Sequence, residues 1–126
     1  MKSILCVGIG GLIGSILRYL VSTYSAKFIG NQFPYGTLIV NVAGGILIGL
    51  ILEVCAGTNA ISPNLKLFLT TGIMGGLTTF STFSYETIQF FTAGNYGTGL
   101  LNTALNLFLS FGGVLLGKYI GSGIIS

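Results

Sequence analysis

The sequence predicts an all-α membrane protein of four transmembrane helices, on three observations. Apolar types make up 52% of the 126 residues and charged types only 6%, about four-fold short of the roughly 25% charge of a soluble domain. The few charges are spaced like span boundaries. Fifteen residues separate Lys2 from Arg18, twenty-five Lys27 from Glu53, nineteen Lys66 from Glu86 and thirty-one Glu86 from Lys118, where a spanning helix needs roughly 20. Finally, twenty-one glycines sit among Leu, Ile, Val and Phe with only two prolines, a pattern of packed helices rather than of disorder. One integral membrane domain, residues 1–126, is expected.

The first helix is placed at about 3–24. Its apolar run imitates a secretory signal, but it ends in Arg18, lacks a clear small-x-small cleavage site and leads into three further spans, so it is kept as structure. Phe33-Pro34-Tyr35-Gly36 precedes the second helix, 36–56, and Ser62-Pro63-Asn64 the third, 64–91. Proline suits a first helical turn and disfavours helix in the residue before it. Ala93-Gly94-Asn95 ends the third helix, and the fourth runs over 97–121. Each helix carries a G-x-x-x-G: Gly10/Gly14, Gly45/Gly49, Gly72/Gly76 and Gly113/Gly117/Gly121. That spacing sets small residues on one face, where backbones can approach closely. A dinucleotide reading of Gly8-Ile9-Gly10-Gly11-Leu12-Ile13-Gly14 fails, because the third glycine of G-x-G-x-x-G would fall on Ile13 and no strand precedes it.

Composition also limits the chemistry. There is no His and no Asp, and Glu53 and Glu86 are the only carboxylates, so acid–base or metal catalysis of the usual kind is excluded and no enzyme is expected. Cys6 and Cys55 have neither disulfide nor metal spacing and read as small packing residues. Four spans put both termini on one side. That side receives Lys2, Lys66 and Lys118, and the other Lys27 with Arg18 near it. So weak a bias is compatible with insertion one way or both ways.

Polar residues at membrane depth are costly and therefore informative. Thr37, Asn41, Gly45 and Gly49 form a stripe on the second helix; Thr98, Asn102, Asn106 and Ser110 form one on the fourth, about 18 Å long at 1.5 Å per residue. A single buried Asn is ordinarily interhelical glue, but three asparagines aligned with hydroxyls also offer neutral hydrogens that can solvate an anion. No carboxylate lies in these stripes, which favours an anion or small neutral solute over a cation. The third helix packs Thr70-Thr71-Gly72-Ile73-Met74-Gly75-Gly76-Leu77-Thr78-Thr79-Phe80-Ser81-Thr82-Phe83-Ser84 into mid-membrane, a run of weak helix formers. Either its hydroxyls bond back to the preceding turn and bend it, or it breaks and releases backbone groups that must be buried or bind an ion. Phe80 and Phe83 lie three apart, where ring edges could meet an anion.

The run Gly75-Gly76-Leu77-Thr78-Thr79-Phe80-Ser81-Thr82-Phe83-Ser84 with Glu86 closely resembles the signature of the Fluc/CrcB fluoride channels. Pro34-Tyr35-Gly36-Thr37-Leu38-Ile39-Val40-Asn41 resembles it too, as does Gly10-Gly11-Leu12-Ile13-Gly14 leading to Arg18-Tyr19. The likeness covers three helices by motif and the whole chain by length and span count; the fourth helix is Asn-rich where relatives vary. It implies a broken third helix and an antiparallel, dual-topology homodimer with two pores lined by both subunits. It further implies a structural sodium ion at the dimer centre on the backbone carbonyls of Gly75 and Thr78. A fluoride path is implied along Asn41, Phe80 and Phe83, continued by Ser81, Thr82, Asn102, Asn106 and Ser110, with Arg18 near an aqueous vestibule and Glu86 as a possible partner.

The expected activity is passive export of fluoride across a bacterial cytoplasmic (inner) membrane, with fluoride, the bilayer and a second copy as partners and no nucleic acid. One alternative is a small four-helix drug/proton antiporter, which needs a carboxylate in the first helix that residues 3–17 lack. The other is a non-transporting assembly subunit, which explains the glycines but not the aligned polar stripe.

Overall fold

The computed structural model describes all residues, Met1–Ser126, and its regular structure is entirely helical. Helix α1 spans Lys2–Phe28 and α2 Tyr35–Gly57. Helix α3 covers residues 63–77 and changes pitch along its length: α-helical over Pro63–Leu67, π-helical over Phe68–Met74 and α-helical again over Gly75–Leu77. Helix α4 is Phe80–Thr92 and α5 Tyr96–Ile125. Helices α1, α2 and α5 are each long and apolar enough to cross a membrane.

Local chemistry explains the ends. Ser62 caps α3, its hydroxyl accepting the Leu65 N–H at 3.1 Å, with Pro63 in the first turn. Between α3 and α4 the backbone is extended at Thr78 (φ −87°, ψ 158°) and Thr79 (φ −151°, ψ 123°). Thr79 then caps α4, its hydroxyl accepting the Thr82 N–H at 3.1 Å. The sequence boundaries 64–91 therefore enclose two helices. Gly94, at φ +84°, closes α4: its N–H reaches the Phe91 carbonyl and the Asn95 N–H that of Phe90 at 2.8 Å, the paired bonds that favour glycine after a helix.

The glycine faces pair the helices two by two. A methyl on Gly10 would stand 2.5 Å from the Phe68 carbonyl oxygen, one on Gly72 would stand 2.9 Å from Gly10 Cα, and one on Gly76 would meet the Gly11 carbonyl. These residues draw α1 against α3. A methyl on Gly45 would stand 2.8 Å from the Ser110 carbonyl, one on Gly49 would strike that of Val114, and one on Gly117 that of Ile46. This second set joins α2 to α5, the most extensive helix–helix contact in the chain. Helix α2 also reaches the first pair, since Val40 packs with Met74 and Leu77 in the small buried core. Long apolar side chains on α1 and α5 point outward, among them Leu12, Ile16, Phe108 and Leu115, as a lipid-facing surface requires.

Backbone contact this close leaves no room for a side chain, and forcing one in costs about 1–3 kcal/mol. Gly117→Val should lower the thermal midpoint in detergent and broaden the elution peak. Gly123→Ala, whose methyl meets open space, should leave both unchanged.

Candidate functional site

The extended pair Thr78–Thr79 organises the site. In a continuing helix the Thr79 N–H would bond the Gly75 carbonyl; here it donates to Asn41 Oδ1 at 2.9 Å. Asn41 Nδ2 returns a bond to the Thr79 carbonyl at 3.2 Å, so one side-chain amide on α2 replaces the helical partners of both backbone groups of the half-buried Thr79. The Thr78 N–H and hydroxyl both bond the Met74 carbonyl, at 3.0 and 2.9 Å. The carbonyls of Gly75 and Thr78 accept no such bond.

The remaining hydrogen of Asn41 donates to Asn106 Oδ1 at 3.0 Å. Asn106 Nδ2 reaches the Asn102 side-chain oxygen at 3.0 Å and its backbone carbonyl at 2.9 Å. Asn102 Nδ2 donates to the Thr87 hydroxyl at 2.9 Å, and that hydroxyl donates to the Phe83 carbonyl at 2.7 Å. Asn102 is fully buried, and Asn106 and Thr87 nearly so.

Beside this network lies a groove of about 590 Å³ bordered by Asn41, Gly75, Thr78, Thr79, Phe80, Phe83, Asn106 and Ser110. The rings of Phe80 and Phe83 stand 5.7 Å apart at 56°; Phe83 is buried while Phe80 is 75% exposed. The Ser110 hydroxyl is buried without a partner. Of the sequence-derived positions, Asn41, Phe80, Phe83, Asn106, Ser110, Gly75 and Thr78 converge here. Asn102 sits behind the groove, inside the network. Ser81 and Thr82 do not border the groove; Ser81 is exposed, its hydroxyl 3.3 Å from that of Thr79.

Arg18 lies farther from the end of its helix than the boundary 3–24 implies. Helix α1 continues to Phe28, so Arg18 is about 15 Å inside its end, half-buried, with Nε donating to the Gly76 carbonyl at 3.0 Å. The physical reason is the interruption itself: the Gly76 carbonyl loses its helical partner, the Phe80 N–H, and accepts the guanidinium. Glu86 is not Arg18's partner. The one ion pair is Lys118 with Glu53, at 3.6 Å, whereas Glu86 borders a second cavity of about 580 Å³ with Tyr35, Thr37 and Tyr85, one carboxylate oxygen buried and unpartnered. Sequence reasoning missed Thr87. It could have been found, because Thr87 and Asn102 lie about equally far from the turn at Gly94 and an antiparallel helix pair brings such residues opposite each other.

Fold and site together define a small helical membrane protein with an uncharged, largely apolar groove backed by a hydrogen-bonded amide network. The family model described as CrcB-like protein, Camphor Resistance (CrcB) matches residues 5–118, and the chain belongs to this family. Relatives called fluoride-specific ion channel FluC include that of Clostridium novyi (strain NT), 57% identical over 115 residues, 91% of this chain and 90% of the relative. That of Clostridium perfringens (strain 13 / Type A) is 57% identical over 114 residues, 90% and 89% of the two chains. That of Ruminiclostridium cellulolyticum is 42% identical over 126 residues, all of this chain and 97% of the relative. The family is one of transporters rather than enzymes.

Removing the Asn41 amide leaves a donor and an acceptor of Thr79 unpaired, at about 1–3 kcal/mol for each buried group. Asn41→Leu should therefore lower unfolding stability by roughly 2–6 kcal/mol, far more than Ser81→Ala, as measured by denaturant titration in micelles.

Proposed function

We propose that this chain is a passive, fluoride-selective channel that lets fluoride leave the cytoplasm across the bacterial inner membrane. The observation that carries the reading is the extended Thr78–Thr79 segment, whose carbonyls and flanking Phe80–Phe83 pair border a groove without a carboxylate. The names of the relatives support the substrate.

Fluoride is small and strongly hydrated, so a pore must replace its water with weak, directed donors, tight enough to admit the ion and loose enough to release it. The Ser110 hydroxyl has an uncommitted hydrogen, and the two phenyl edges carry partial positive charge. Asn41 and Asn106 hold the wall in place, their amides already engaged. Helices α3 and α4 serve together as the fourth span, with the extended residues at membrane depth where protein covers them.

The groove is open on one side and Phe80 stands outside the subunit. A second, antiparallel copy would cover it and complete two pores. Sodium fits the Gly75 and Thr78 carbonyls, which no hydrogen bond of the chain engages; oxygen donors suit a hard cation. When bound at the dimer centre, it supplies fixed positive charge and joins the two interrupted segments.

Protein reconstituted in fluoride-loaded liposomes should release fluoride to an external electrode when voltage drives it, and should release no chloride. Release only with a proton gradient would mean antiport; none at all would mean an assembly subunit. Phe80→Ile and Phe83→Ile should each slow release about tenfold, the equivalent of one aromatic contact of about 1.4 kcal/mol, while eluting as wild-type dimers. Exchanging sodium for a bulky organic cation during purification should lower the melting midpoint of the dimer.

A further inference from the structure

The hydrogen bonds that hold Thr79 form a directed chain with both ends on backbone. It starts at the Thr79 N–H and passes through Asn41, Asn106, Asn102 and Thr87 to the Phe83 carbonyl. Every link has its donor on the same side. The ends explain why: a peptide N–H only donates and a peptide carbonyl only accepts. Because the Thr87 hydroxyl gives its hydrogen to Phe83, its lone pair faces Asn102 and demands a donor. That demand sets the Asn102 amide, while the backbone of Thr79 sets Asn41 and the Asn102 backbone carbonyl helps to set Asn106, so the chain is held from both ends.

We propose that Thr87 is a positioning residue for ion conduction, its hydroxyl closing the Asn102 end of the amide chain that holds Asn41 on the extended Thr79 backbone. The inference rests on the channel reading above and concerns a residue that borders no part of the groove. With the hydroxyl gone, the donor of Asn102, a side chain fully shut off from solvent, is orphaned and its amide is free to turn over. A turned Asn102 would set donor against donor at Asn106, whose amide the Asn102 backbone carbonyl still holds, and the misfit would strain the Asn106–Asn41 contact that supports Thr79. Phe83 would meanwhile lose the hydroxyl that pins its carbonyl, beside the ring that walls the groove.

Thr87→Val keeps the side chain's shape and removes only the hydrogen bonding. It should slow fluoride release about tenfold, as expected for one orphaned buried donor, while Thr87→Ser, which keeps the hydroxyl, should restore wild-type release. The side-chain amide proton signals of Asn41, read by NMR on asparagine-labelled protein in micelles, should shift in Thr87→Val and return in Thr87→Ser. A purely packing role would reverse that ranking, because valine fills the site and serine does not. Thr87→Cys, with a weakly bonding thiol, should fall between the two and remains informative if the valine variant does not assemble. Wild-type release in Thr87→Val or Thr87→Cys, or unmoved Asn41 signals, would overturn the inference alone. A wild-type chain that releases no fluoride would instead remove the channel reading beneath it.

Discussion

A backbone polar group left without a partner away from water costs free energy on the order of a lost hydrogen bond or more, and the arrangement of this protein depends on how that cost is met at Thr79. The Asn41 amide does so with two bonds, one to the N–H and one to the carbonyl of Thr79. Asn41 belongs to a different helix, so the extended segment between α3 and α4 holds its shape only while α2 lies against it. A short-range irregularity is thereby tied to the packing of the whole bundle.

That packing is made by glycine. Gly10 and Gly14 meet α3 backbone to backbone, and Gly45 and Gly49 meet α5 in the same way. Lipid gives two helices no hydrophobic reason to associate, so close van der Waals contact and interhelical hydrogen bonds must do it. The two devices work together here: glycine brings α2 and α5 close enough for Asn41 to reach Asn106, and the amides set the register that keeps the glycines aligned.

The asparagine stripe has a divided character. Asn102 is wholly internal, whereas Asn106 and Asn41 present themselves to the groove with their hydrogens already engaged. A wall of this kind is polar without being charged and stiff without being covalent. The interruption also explains an arginine within a membrane helix, since the carbonyl it releases at Gly76 accepts Arg18.

Much of this was legible in the chain itself. Charge spacing located α1, α2 and α5 and enclosed α3 and α4 in one stretch, proline and glycine located the turns, four-residue glycine periods located the contact faces, and the stripe on α5 singled out Asn102, Asn106 and Ser110. Those features follow from local propensity and from the solvent, which act on residues near one another in sequence. The partners were another matter. That Gly10 meets Gly72 and Gly45 meets Ser110, that Asn41 grips Thr79, that Arg18 turns to Gly76 rather than Glu86, and that Thr87 closes the amide chain are all long-range choices. Several glycine faces and several amides could have paired in more than one way with equal local merit, and only the simultaneous fit of backbone, amide and hydroxyl in three dimensions selected among them.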